Sequence, residues 1–231
     1  MKFTSEIKVE LIQQVGNDAM IAQAARVSTG TSGDVEANKK LISYLMSSRH
    51  GSPFEHGSLT VRVHAPIKVW REWHRHRVGW SYNEESGRYK QLEPVFYVPA
   101  RERPMIRPEG FKSSRPTFEQ SDDYVYKEVI DTLRKSYEAA YEAYEKLLAI
   151  GADRGLARDV LGVGIYSSCF CTANPRSIMH FLELRTDHPE AKRPSKPLYE
   201  IRVAAEQLEA VFATYWPVTY SAWVAAGRSA P

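Results

Sequence analysis

Residues 73 to 90 read WHRHRVGWSYNEESGRYK. His74, Arg75, His76, Arg77 and Arg88 are cationic or can become so, and they sit among two Trp, two Tyr and the pair Glu84–Glu85. A solvated surface does not need this mixture, and a core cannot bury it unpaired. Guanidiniums beside partly buried aromatic rings suit bidentate recognition of a flat anion. If the chain is helical from Pro66 to Arg77, Glu72 shares a face with Arg75 and His76. The plain alternative is a salt-bridged helix surface, but Trp70 and Trp73 border that face and argue against full exposure. Ser81, Asn83, Glu84, Ser86 and Arg88 follow in what reads as a loop. Their hydroxyl, amide, carboxylate and guanidinium groups can together read a phosphate and a base edge, and loops on a scaffold often carry such sites.

A second polar cluster, ANPRSIMHFLELR, spans 173–185. Arg176 and His180 are four residues apart and face one way on a helix, with Asn174 at its cap and Pro175 at its first position. Such a helix start welcomes a phosphate. Arg158 adds another cation. Other chemistries fare worse. The pairs His50/His56 and His74/His76 do not have the spacing of a helical zinc site, so no metal is expected. The Gly-Val-Gly at 162–164 lacks the third glycine of a dinucleotide-binding turn. Cys169 and Cys171 face one side of a strand and read as buried inert thiols. Ser86 has no base placed by the sequence to activate it and reads as a hydroxyl donor.

The 231 residues, 43% of them hydrophobic, suffice for one sizeable core, and a single domain over 1–231 is expected. The net charge of +3 is too small to argue for a nucleic-acid binder by itself. No run approaches the length of a membrane span, and the N-terminal residues lack the apolar stretch of a signal peptide. A cytoplasmic protein with no membrane partner is expected. Strands are read over 7–12, 59–65, 95–98 and 164–173. Helices are read after Asn17, around 41–46, from Pro66, over 124–150, after Asn174 and around 198–212. Between them lie a Gly/Ser loop at 28–34, a basic Pro-rich loop at 99–117 and a Pro/Lys loop at 186–197. The elements do not alternate as βαβ units, so the expected class is α+β: a mixed or antiparallel sheet packed with long helices.

Arg-His-Arg at 75–77 followed by SYNEESGRY resembles the signature of flavin-dependent thymidylate synthases, which is Arg-His-Arg, seven residues, then Ser. The likeness extends, in order and spacing, to AARVS at 24–28, HGSPFEH at 50–56, FYVP at 96–99, LAR at 156–158 and NPRSIMHFLELR at 174–185. It covers most of the chain. The resemblance implies FAD contacts at Ser28, Ser52, Glu55, Arg75, His76, Arg77, Glu84, Asn174, Arg176 and His180. It implies that dUMP is held by Glu72, Arg75, Arg158, Arg185 and the loop Glu84, Glu85, Ser86, Gly87 and Arg88, the loop coming from a neighbouring subunit of a homotetramer. Arg185 matches the catalytic Arg that stabilises the ionised N3 of uracil.

The implied reaction is the reductive methylation of dUMP to dTMP. Methylenetetrahydrofolate is the carbon donor and NADPH-reduced FAD the hydride donor, with no cysteine nucleophile. This chain departs from the family in having eight residues, not seven, between Arg77 and Ser86, a difference that Gly79 could absorb. The loop after Arg185 is also longer than usual, and His188 takes no role. A different class of protein, a single-stranded nucleic-acid-binding domain using 73–90 as a stacking platform, would instead give colourless protein with salt-sensitive oligonucleotide affinity.

Overall fold

A computed structural model describes residues 1–113 and 116–231. The chain runs β1 (Lys2–Thr4), β2 (Lys8–Val15), α1 (Asp18–Arg26), α2 (Val35–Ser47), a 3-10 turn (Ser52–Glu55), β3 (Ser58–Pro66), α3 (Ile67–Trp73), β4 (Trp80–Glu84) and β5 (Val95–Tyr97). It continues through α4 (Asp123–Ala149), α5 (Arg154–Ala157), a 3-10 turn (Arg158–Val160), β6 (Tyr166–Ala173), α6 (Pro175–Arg185), α7 (Tyr199–Tyr215) and α8 (Pro217–Ala225). The class is α+β, as expected. A four-stranded sheet has the order β2-β3-β6-β4, and β1 pairs with β5 in parallel. Of the basic loop at 99–117, Ser114 and Arg115 lie outside the described residues. Among the described residues no helix is long and apolar enough to cross a membrane.

The chain divides into two compact units, each discontinuous in sequence. The first comprises Met1–Ile7, His64–Glu72 and Glu84–Ser168. Its core gathers Leu92, Phe96, Tyr141, Tyr144, Ala157 and Ile165, with Tyr137, Leu147 and Leu148 packed against them. These tyrosines and leucines form the apolar stripe of α4, whose first turn is closed by the Asp122 carboxylate accepting from the Val125 amide at 2.7 Å. The two phenol groups of the core are not wasted inside it. Tyr141 Oη donates to the Leu92 carbonyl at 3.0 Å, and Tyr144 Oη accepts from the Leu92 amide at 3.2 Å. Together they pin the segment that follows the Glu84–Arg88 loop.

The second unit comprises Lys8–Val63, Trp73–Asn83 and Cys169–Pro231. Its fully buried side chains include Trp73, Trp216, Trp223, Phe181 and Phe212. In the sheet, Thr60 and Thr172 hydroxyls meet at 2.9 Å, and Arg62 donates to Glu10. Cys171 and Cys169 are buried in β6, and neither forms a disulfide. Helix α6 begins as the sequence predicts: Asn174 Oδ1 accepts from the Ser177 amide at 2.9 Å, and Pro175 occupies the first position.

Two expectations around the Arg-His-Arg stretch need correction. Pro66 ends β3 rather than opening a helix, and α3 stops at Trp73. Arg75 and His76 therefore lie beyond the helix that ends at Trp73. The helix closes in a tight turn: the Trp73 carbonyl accepts from the His76 amide at 3.0 Å, and Tyr82 Oη donates to the His76 carbonyl at 2.6 Å, which holds the backbone as it turns back. Residues from Trp80 form β4, not a loop. Trp80 and Tyr82 stack at 5.8 Å between ring centroids, and Trp80 meets Trp73 edge-on at 6.0 Å. Bulky rings alternating along a strand favour that pleated form.

Candidate active site

In the second unit, a cavity of about 480 Å³ is lined by Glu55, Arg75, His76, Arg77, Val78, Gly79, Trp80, Asn174, Arg176, Ser177 and His180. That volume lies within the usual range for small-molecule sites. Three guanidiniums, the capped start of α6 and one indole ring share the wall. Arg176 is oriented by Glu55 at 2.5 Å and by the Pro231 carbonyl at 2.9 Å. Both partners of the Arg176–Glu55 ion pair are more than a third exposed, so the pair serves direction more than stability.

Seven residues expected at a flavin site thus come together: Glu55, Arg75, His76, Arg77, Asn174, Arg176 and His180. Ser28 is exposed beyond α1, its hydroxyl donating to the Ala25 carbonyl, and Ser52 is exposed in the 3-10 turn; neither lines the cavity. Glu84 belongs to the first unit and is likewise not in the wall.

Val78, Gly79, Trp80 and Ser177 are wall residues that the site assignment from sequence omitted. Gly79 has φ +69°, and a Cβ there would run into Ser177 Oγ and come within 3.0 Å of Asn174 Nδ2. Ser177 Oγ in turn donates to the Val78 carbonyl at 2.9 Å. The residue count around Arg77 and Ser86 was the signal available: an extra residue beside a glycine marks a place where the backbone bends against something. Replacing Gly79 by Ala is expected to cost about 1–2 kcal/mol for the left-handed backbone alone. A melting curve should shift down accordingly, and any ligand of the cavity should be retained less well. An unchanged melting temperature would contradict the close approach.

His76 differs from the cation its sequence setting suggests. Its burial, reinforced by Arg185, His180 and Arg75, lowers its pKa to about 4, so the ring is neutral at pH 7. Arg185, at the last turn of α6, donates from Nε to His76 Nε2 at 2.9 Å. The His76 ring also packs edge-on against Phe181 at 4.8 Å.

The expected dUMP loop lies in the first unit. Glu84 accepts from Ser167 Oγ at 2.6 Å. Glu85 accepts from the Ser168 amide at 2.9 Å and from Lys90 at 2.5 Å. Ser86 Oγ accepts from the Arg88 amide at 3.3 Å, giving a turn that sends Arg88 out into solvent. Gly87 is buried, and a Cβ there would stand 3.1 Å from Leu92 and 3.4 Å from Arg158 Cδ. Arg158, exposed at the end of α5, is thereby placed beside the loop, and Arg154 donates to the Tyr89 carbonyl at 2.7 Å. Glu72 is half-buried at the end of α3. The first unit thus presents cations and a fixed carboxylate pair on one loop, while the second presents a cationic, aromatic-walled cavity. Both sets of groups suit anionic, ring-bearing ligands.

Comparison with known proteins narrows that class. Residues 10–218 match the family described as thymidylate synthase complementing protein. The chain is 48% identical over 236 residues to the flavin-dependent thymidylate synthase of Streptomyces avermitilis, covering 99% of this chain and 95% of that one. It is 42% identical over 238 residues to the enzyme of the same name from Tropheryma whipplei strain TW08/27, covering 99% and 97%. Among solved structures it resembles the UMP/dUMP methylase PolB from Streptomyces cacaoi bound with 5-Br dUMP, with a TM-score of 0.93, 42% identity and all of both chains covered. The same protein bound with 5-Br UMP gives a TM-score of 0.94. The chain belongs to the flavin-dependent thymidylate synthase family of enzymes.

Proposed function

We propose that this protein is a cytoplasmic flavin-dependent thymidylate synthase. It would convert dUMP to dTMP with methylenetetrahydrofolate as carbon donor and NADPH as reductant, and it would work as a homotetramer in which residues 1–231 of each chain act as one domain. The observation that carries this reading is the convergence of Arg75, Arg77, Arg176 and the Asn174-capped start of α6 on one cavity beside the Trp80 ring. That donor set fits FAD: guanidiniums and helix amides suit a pyrophosphate, and an indole face suits a flat ring. When bound, FAD supplies the hydride that completes the methyl group at C5 of dUMP.

The chain's own residues position and polarise. Glu84, Glu85, Ser86, Gly87 and Arg88, with Arg158 beside them, would hold dUMP, the loop serving the site of a neighbouring subunit. Glu72 and Arg75 would complete its contacts. Ser28, Ser52, Glu55, His76, Glu84 and His180 are the further flavin contacts of this reading. Arg185 would face the uracil and stabilise negative charge at N3, a preorganised electrostatic effect. Cys169 and Cys171 are buried, which accords with chemistry that needs no thiol nucleophile.

The test is a spectrum of the purified protein. Flavin absorption that bleaches with NADPH, together with tritium release from dUMP labelled at C5, is expected. Colourless protein that binds oligonucleotides in a salt-sensitive way would replace this reading with a nucleic-acid-binding one. Flavin binding without tritium release would leave a binder that no longer turns over.

A further inference from the structure

The hydrogen bond from Arg185 Nε to His76 Nε2, at 2.9 Å, constrains the chemistry of both groups. An arginine only donates, so His76 Nε2 must carry a lone pair and the ring proton must sit on Nδ1. The backbone of His76 is held independently, because Tyr82 Oη donates to its carbonyl at 2.6 Å. Burial raises the Tyr82 hydroxyl far above its ordinary range, so it stays a donor at any working pH. Phe181 lies against the imidazole edge at 4.8 Å and limits its rotation. A neutral ring, fixed at its backbone and packed against an aromatic face, therefore presents one lone pair to one edge of the Arg185 guanidinium.

We infer that His76 is a positioning residue for Arg185, an uncharged acceptor that orients the guanidinium toward the substrate ring. This role is separate from any contact His76 makes with flavin, and it rests on the reading of Arg185 as the group that faces the uracil. The groups facing His76 are Arg185, His180 and Phe181 from α6, Arg75 from its own segment and Tyr82 from β4; Tyr82 stays a neutral donor, and Arg185, His180 and Arg75 disfavour an imidazolium. Protonation of His76 would abolish the acceptor and set a second cation against Arg185.

The sign of the pH effect follows. The native pKa is below the ordinary 6.5, so the stability contributed by the neutral ring is fully present above pH 6.5 and is lost as pH falls toward about 4.

The experiment combines nitrogen NMR of the imidazole with kinetics of two variants, His76→Leu and His76→Gln. The wild-type ring should show a protonated Nδ1 and a bare Nε2 at pH 7, and should titrate well below 6.5. His76→Leu should lower kcat about tenfold, the scale of one hydrogen bond's net contribution, while KM for dUMP changes less. Glutamine can present an oxygen where Nε2 stood, so His76→Gln should recover most of the lost kcat when rates are expressed per bound flavin. A protonated Nε2, titration near 6.5, or equal losses in the two variants would overturn the inference. If the wild type bound flavin but failed to methylate dUMP, the proposed function would fall while the NMR still decided the His76–Arg185 geometry.

Discussion

Replacing Arg185 by Ala should leave a folded, yellow protein whose methylation of dUMP is slowed by about 10²–10³, the range seen when one preorganised charge-stabilising donor is removed. The argument is local. Arg185 closes the last turn of α6, half-buried, and does not line the cavity that collects Arg75, Arg77 and Arg176. Flavin retention, read from the visible spectrum, should therefore be nearly normal. The loss should fall mainly on kcat, because the interaction that disappears is one that strengthens as the uracil gains negative charge. His76 would keep its Tyr82 anchor but lose its Arg185 donor, and its pKa should rise because one of the cations that depresses it has gone. Normal turnover in this variant would remove the central catalytic assignment.

A second large effect is expected at a buried ion pair outside the cavity lining. Arg228 is only 3% exposed and donates to Glu209 through both terminal nitrogens, at 2.8 and 2.6 Å. Its Nη2 also reaches Thr186 Oγ1 at 3.1 Å, and its guanidinium lies 4.4 Å from the Trp223 ring. Tyr220 Oη donates to the same Glu209 carboxylate. Arg228→Met would leave that carboxylate in a largely dry setting with its principal countercharge gone. Breaking one side of such a pair costs about 3–5 kcal/mol, and for a chain of this size each kcal/mol lowers the melting temperature by roughly 2–4 °C. Replacing both partners together, Arg228→Met with Glu209→Leu, should recover most of the loss, because no charge is then left unpaired. A single variant that melts with the wild type would show that the pair contributes nothing.

The architecture was legible where a periodic pattern or a cap had little competition. The Tyr and Leu spacing of α4 and the Asn174–Pro175 start of α6 could be read directly, because each depends on contacts within a few residues. The end of α3 could not. It closes in a tight turn in which the Trp73 carbonyl accepts from the His76 amide, and that turn is held by Tyr82, nine residues beyond Trp73, through its bond to the His76 carbonyl. The strand from Trp80 was hidden for the same kind of reason, since its polar residues look like a loop until the sheet order β2-β3-β6-β4 gives them a neighbour. Within the cavity, Arg75, Arg77, Asn174 and Arg176 were accessible to sequence reasoning because their chemistry is carried by residue type. Ser177 and Trp80 were not, because their place in the wall is set by the turn at Gly79. The neutrality of His76 was equally out of reach, since it comes from burial and from Arg185 more than a hundred residues away.

Helix α6 has Asn174 at one end and Arg185 at the other, both in the second unit. Eleven residues at about 1.5 Å each make a rod of roughly 16 Å with no adjustable joint. One residue added or removed anywhere along it would swing Arg185 through about 100° relative to Asn174, carrying the guanidinium off the imidazole. Compensating side-chain changes could not restore the azimuth. The span between these ends should therefore keep a fixed length in evolution even while the flanking loops grow.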